Sequence, residues 1–170
     1  MFNQISKLFK SLTVVAFLLL SGCGGGTGTT ALGGSMTINP TSVAFTNTTL
    51  KTTAPCTTGT RAYSYTRFVI TVFNTNKVPV ANAPLSVTLD FSNATNGNLM
   101  TLYDDPSWGS SSTSAPTNAV GGSYSTSTGS DGTKTLIVGW TAQCAFKGNL
   151  SVYSGDLYQQ ASVAVTAGGG

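Results

Sequence analysis

From residue 85 to residue 91 apolar and polar side chains alternate without a break, Leu85, Val87, Leu89 and Phe91 against Ser86, Thr88 and Asp90. Successive side chains of an extended chain point to opposite faces, so this stretch is a strand with one dry and one wet face. A single strand has nothing to bury its dry face against, and the pattern therefore demands partners. Residues 67–73 supply one: Phe68, Ile70 and Val72 oppose Val69, Thr71 and Phe73, apolar on both faces as a central strand requires. Further strands are expected at 36–38, 42–46, 134–140, 148–153 and 160–166. Turn chemistry separates them, Asn74-Thr-Asn-Lys-Val-Pro79 after one strand and Asp131-Gly132 before another. Glutamate is absent and helix formers are scarce, while Val, Thr, Tyr and Phe are common. The expected fold is all-β, a single antiparallel sandwich over residues 36–167.

Residues 92–128 break this rhythm with Asn96-Gly97, Asp104-Asp105-Pro106, Trp108-Gly-Ser-Ser-Ser and Gly121-Gly122. A long loop in a small domain is either functional or disordered, and this one has room for short strands near 99–103 and 123–127. Trp108 has two readings there: folded back to cap the core, or presented to a partner. With Tyr103 nearby it forms a candidate binding loop, because aromatic rings suit both sugar stacking and protein hot spots. Trp140 shares a strand face with Leu136 and Val138 and is expected in the core. Tyr63 and Tyr65 flank a cysteine segment and are expected to pack on it.

The inventory argues against an enzyme. There is no histidine, so neither a Ser-His-Asp nor a Cys-His arrangement can be built. Asp104-Asp105 is the one close pair of carboxylates; on a turn it could converge on Ca²⁺, but a solvated Asp-Asp-Pro turn is the preferred reading. Asp131 is read as a turn residue and Asp90 as solvated. No metal or other cofactor is expected. The chain carries a formal net charge of +3 with no cluster of Lys or Arg, so a nucleic-acid surface is not expected.

Near the N-terminus, Lys7 and Lys10 precede an apolar run at residues 12–20, and Leu20-Ser21-Gly22-Cys23 follows. That run is too short to span a bilayer, which takes about 20 residues, and a secretory signal has this layout. The four residues ending in Cys23 make the segment resemble a bacterial lipoprotein signal. A plain secretion signal with a chance cysteine is the alternative. The resemblance implies removal of residues 1–22, a diacylglyceryl thioether on Cys23 and an acyl chain such as palmitate on its amino group. Gly24, where inner-membrane retention would put Asp, implies the outer membrane, on its periplasmic face or at the cell surface. Residues 23–35 are Gly- and Thr-rich and read as a flexible linker. With Cys23 assigned to lipid, Cys56 and Cys144 remain as one pair in an oxidising setting. A disulfide between them is expected, with two free thiols as the alternative.

Two stretches resemble the bacterial Ig-like domains of invasins and intimins. One runs from Phe68 through Asn74 and Pro79 to Pro84 and Leu89; the other is Ser130-Asp131-Gly132-Thr133 and the strand that follows. Residues 161–166 fit that family's last strand. Lys77-Val78 stands where the family usually has glycine before the proline. The resemblance implies an Ig-like sandwich serving as a non-catalytic structural or protein-interaction module, in adhesion or envelope assembly, held to the membrane by lipid. The alternative function is a carbohydrate-binding module using Tyr103 and Trp108.

Overall fold

The computed structural model describes residues 34–47, 62–91, 99–109, 114–142 and 145–167. Among them are ten strands and no helix: β1 (Ser35–Asn39), β2 (Ser42–Asn47), β3 (Ala62–Phe73), β4 (Pro84–Phe91), β5 (Leu99–Tyr103), β6 (Ala119–Gly121), β7 (Ser123–Ser127), β8 (Thr133–Ala142), β9 (Phe146–Ser154) and β10 (Leu157–Ala167). They form two five-stranded sheets, ordered β1-β3-β8-β5-β6 and β2-β10-β9-β4-β7. The molecule is an Ig-like β-sandwich.

The alternating strands bury the faces their patterns predict. Phe68, Ile70 and Val72 of β3 and Leu136, Val138 and Trp140 of β8 line the first sheet's inner face. Leu85 and Val87 of β4, Leu150 and Val152 of β9, and Val163 and Val165 of β10 line the second's. Each such side chain contributes about 1.5–3 kcal/mol when taken from water into the core. Trp140 lies in this core as expected, with ring centroids 5.0 Å from Phe45 and 6.4 Å from Phe146.

The sandwich is not wholly antiparallel. After β1 the chain passes the cis Asn39–Pro40 bond and changes sheets. β1 runs antiparallel to β3, whereas β2 lies parallel to β10, from Ser42 opposite Ser162 to Asn47 opposite Ala167. Alternation looks the same beside a parallel or an antiparallel neighbour, so the pattern could not reveal this pair.

The two turn motifs meet at one end of the sandwich. Asn74 Oδ1 accepts hydrogen bonds from the backbone N–H of Asn76 (2.9 Å) and Val78 (3.0 Å), closing the turn after β3. Lys77 sits in this turn with φ of 63°. The chain then returns along β3, where Val80 N donates to Val72 O at 2.8 Å. Gly132 (φ +75°) packs against this segment so closely that a Cβ there would lie 2.4 Å from Pro79 Cβ. The buried Thr128 hydroxyl donates to Val80 O (2.7 Å) and accepts from Ala83 N (2.9 Å), tying the segment to the end of β7.

Candidate functional site

The stretch 92–128 is no structureless loop. Within its described part β5 and β6 extend the first sheet and β7 returns to the second, beside β4. Residues 104–109 and 114–118, between β5 and β6, are organised by two adjacent carboxylates with separate tasks. Asp105 is 8% exposed and accepts four hydrogen bonds: Ser107 N (3.1 Å), Ser107 Oγ (2.6 Å), Thr117 N (3.0 Å) and Thr117 Oγ1 (3.0 Å). These bonds, the Ser107 hydroxyl's foremost, hold its pKa down at about 2. Asp104 is ion-paired with Lys134 Nζ at 2.8 Å and accepts the Tyr124 phenol at 2.6 Å. The expectation of a merely solvated Asp-Asp-Pro turn is corrected: one carboxylate folds the loop, and the other fastens it to β7 and β8.

The candidate binding loop of Tyr103 and Trp108 is also corrected. Trp108 is 7% exposed, its indole N–H donates to Ser114 O at 2.8 Å, and its ring lies 6.0 Å from that of Tyr65. Tyr103 stands edge-on to Tyr65, also at 6.0 Å, and burial raises its phenol pKa. Both tyrosines close over Gly139, where a Cβ would meet Tyr103 Cε2 at 2.7 Å and Tyr65 Cδ1 at 2.8 Å. Ile137 faces outward by register beside Tyr103, yet it is fully buried. The aromatics therefore form a second small core on the outer face of the first sheet. The capping reading of Trp108 holds in a modified form, since it caps the sheet's outer side and not the main core. Tyr65 packs here, on Tyr103 and Trp108; the cysteine segment on which it is expected to pack lies outside the described residues.

Beside this cap lies an open polar groove of about 430 Å³, lined by Asp104, Lys134, Asp131, Thr126, Thr133 and neighbours. Asp131 Oδ2 accepts the Thr133 hydroxyl (2.7 Å) and Oδ1 its backbone N–H (2.9 Å), which lowers its pKa. Asp105 and Asp131 are thus held ionised, unsuited to delivering a proton near neutral pH.

A different aromatic pair is displayed. Tyr153 of β9 and Tyr158 of β10 are each 47% exposed, directly opposite in register, with ring centroids 4.8 Å apart and planes 38° apart. Both point outward from the second sheet. In their row stand Ser86 of β4 and Ser125 of β7; the next row is Ser123, Thr88, Ser151 and Gln160. Gln160 Nε2 donates to Ser151 Oγ at 3.2 Å. Beyond it lie Asp90, Asn149, Ser162 and Ser42, with Asp90 exposed as expected. The sequence singled out neither tyrosine, although each sits at the polar phase of an alternating strand, the one signal that could have marked them.

Cys23, Cys56 and Cys144 lie outside the described residues, as does the side chain of Tyr63.

No family model matches the chain, and no curated protein matches it in sequence. Among solved structures it is similar to the ASH/PapD-like domain of human CEP192 (PapD-like domain 7), at 9% identity and a TM-score of 0.37, over 80% of this chain and 87% of that one. That likeness is too distant to carry any functional inference.

Proposed function

We propose that this chain is a lipid-anchored, non-catalytic recognition module of the bacterial envelope: an invasin-type Ig-like domain tethered through Cys23, contributing contacts to adhesion or envelope assembly. The observation that carries this reading is the placement of Tyr153 and Tyr158, two large rings left half exposed side by side on an open sheet face. Paired exposed aromatics of this kind mark interaction surfaces. The carboxylates that might have served chemistry, Asp104, Asp105 and Asp131, are engaged in building loops. The Leu20-Ser21-Gly22-Cys23 sequence supports the anchor. Two or three acyl chains, at about 0.8 kcal/mol per buried CH₂, hold such a domain without help from a basic surface.

Cell fractionation of the wild type and Cys23→Ser tests the anchor. The wild type is expected in the membrane fraction, and the variant outside it as unprocessed precursor. Membrane association that survives Cys23→Ser would contradict the proposal.

A further inference from the structure

We infer that the outer face of the second sheet is a binding site for an uncharged polysaccharide. The inference rests on the recognition-module reading and names its ligand class. Four features of the face converge on that chemistry.

The first is the Tyr153–Tyr158 pair, which offers ring faces against which the C–H faces of a sugar stack, with phenol groups beside them for hydrogen bonding. The second is what adjoins it. Exposed Ser86, Ser123, Ser125 and Gln160, with half-buried Thr88 and Asn149, present hydroxyl and amide groups, which both donate and accept as sugar hydroxyls require. The Gln160–Ser151 bond uses the amide nitrogen and leaves the carbonyl oxygen as an acceptor.

The third feature is what this face lacks. Its outward positions carry no Leu, Ile, Val or Phe, so it has no aliphatic centre of the kind a protein interface buries. Its strand registers also run without a bulge, giving an even surface suited to an extended chain. The fourth is charge. Asp90 and Lys147 lie at the end of the face remote from the tyrosines, and Asp156 lies in the turn beside them. Among the described residues of this face the charges are few, of both signs, and none but Asp156 lies near the tyrosines, so a polyanion or a polycation is not favoured and the complementary ligand is neutral.

The test is affinity electrophoresis of the full chain in detergent, through native gels containing dextran, galactomannan, xyloglucan or mixed-linkage glucan, with alginate as the charged control. At least one neutral polymer is expected to retard the wild type, with retardation unchanged by added salt. Tyr153→Ala or Tyr158→Ala should weaken it about tenfold, the loss of one stacking ring. Gln160→Ala should weaken it about threefold, within the range of one hydrogen bond. These exposed sites should leave the melting temperature within about 2 °C of the wild type. The inference is overturned if no neutral polymer retards the wild type, if retardation survives the double tyrosine variant, or if alginate alone retards it. Protein adducts alone from a photocrosslinker at position 158 would overturn it too. Any of these results, with Cys23-dependent membrane association intact, removes the ligand and leaves the anchored module standing.

Discussion

Gly132 and Pro79 are in direct apposition, 53 positions apart in the chain, with space between them for a hydrogen and not for a methyl group: a Cβ at 132 would sit 2.4 Å from Pro79 Cβ and 2.8 Å from its carbonyl carbon. Both are turn residues, and their contact locks the turn after β3 to the turn before β8. Because Gly132 also has φ of +75°, Gly132→Ala combines backbone strain with a steric clash. A loss of about 2–3 kcal/mol is expected, read as a lower urea midpoint at unchanged slope. Gly122→Ala, with open space around its Cβ, should change stability by less than about 0.5 kcal/mol. In the partner turn Lys77 occupies a left-handed conformation, so Lys77→Gly should be neutral or slightly stabilising.

Asp105 makes the 104–118 segment sensitive to acid. Its folded-state pKa is depressed to about 2 by hydrogen bonds to the ionised form. Its stabilising contribution is therefore complete above the ordinary carboxylate range and is lost as pH falls from about 4 towards 2. Trp108 fluorescence, recorded in a Trp140→Phe background, should shift to longer wavelength over that interval before the far-ultraviolet strand signal is lost. Asp105→Asn should show the red-shifted spectrum already at pH 7. A Trp108 signal that changed only together with global unfolding would contradict the role given to this carboxylate.

Trp108 itself is structural. Trp108→Ala removes the ring packed on Tyr65 and the bond to Ser114 O, and a loss of about 3 kcal/mol is expected in thermal or urea unfolding. Polysaccharide retardation of the variant, measured well below its melting temperature, should match the wild type, because the ring caps the first sheet while the tyrosine pair stands on the second. Loss of binding in a folded Trp108→Ala protein would return the site to the loop.

The proposed Cys56–Cys144 bridge has a simple check. Ala62, which follows Cys56 in the chain, and Ala142, which precedes Cys144, are opposite each other in the β3–β8 register; the cysteines themselves lie outside the described residues. Peptide mass mapping without reductant should recover Cys56 joined to Cys144, and reduction should lower stability by up to about 4–5 kcal/mol, the chain-entropy value for so long a loop. Two free thiols in the oxidised protein would contradict the bridge.

Most of the sandwich is legible in the chain because period-two alternation reports directly on burial. Leu85 to Leu89, Leu136 to Trp140 and the even run Phe68, Ile70, Val72 all point where their pattern requires. What was hidden depends on contacts between distant residues. Nothing local in β2 states that its neighbour is parallel. Asp105 reads as a turn residue until Thr117 arrives to meet it. Trp108 in a run of Ser and Gly looks displayed, and becomes buried only because Gly139 leaves room for Tyr65 and Tyr103 to fold over the strand and form a bed. The exposed tyrosines are hidden for the converse reason: at the polar phase of a strand, Tyr153 and Tyr158 pass for ordinary wet-face residues until register sets them side by side.

Anchoring is the central claim, and the mass of the N-terminal peptide of the membrane-extracted protein tests it most directly. A peptide beginning at Cys23 and carrying a diacylglyceryl group, with or without a further acyl chain, is the predicted result. A protein that retains residues 1–22 in the membrane, or begins at another residue with an unmodified Cys23, would contradict it.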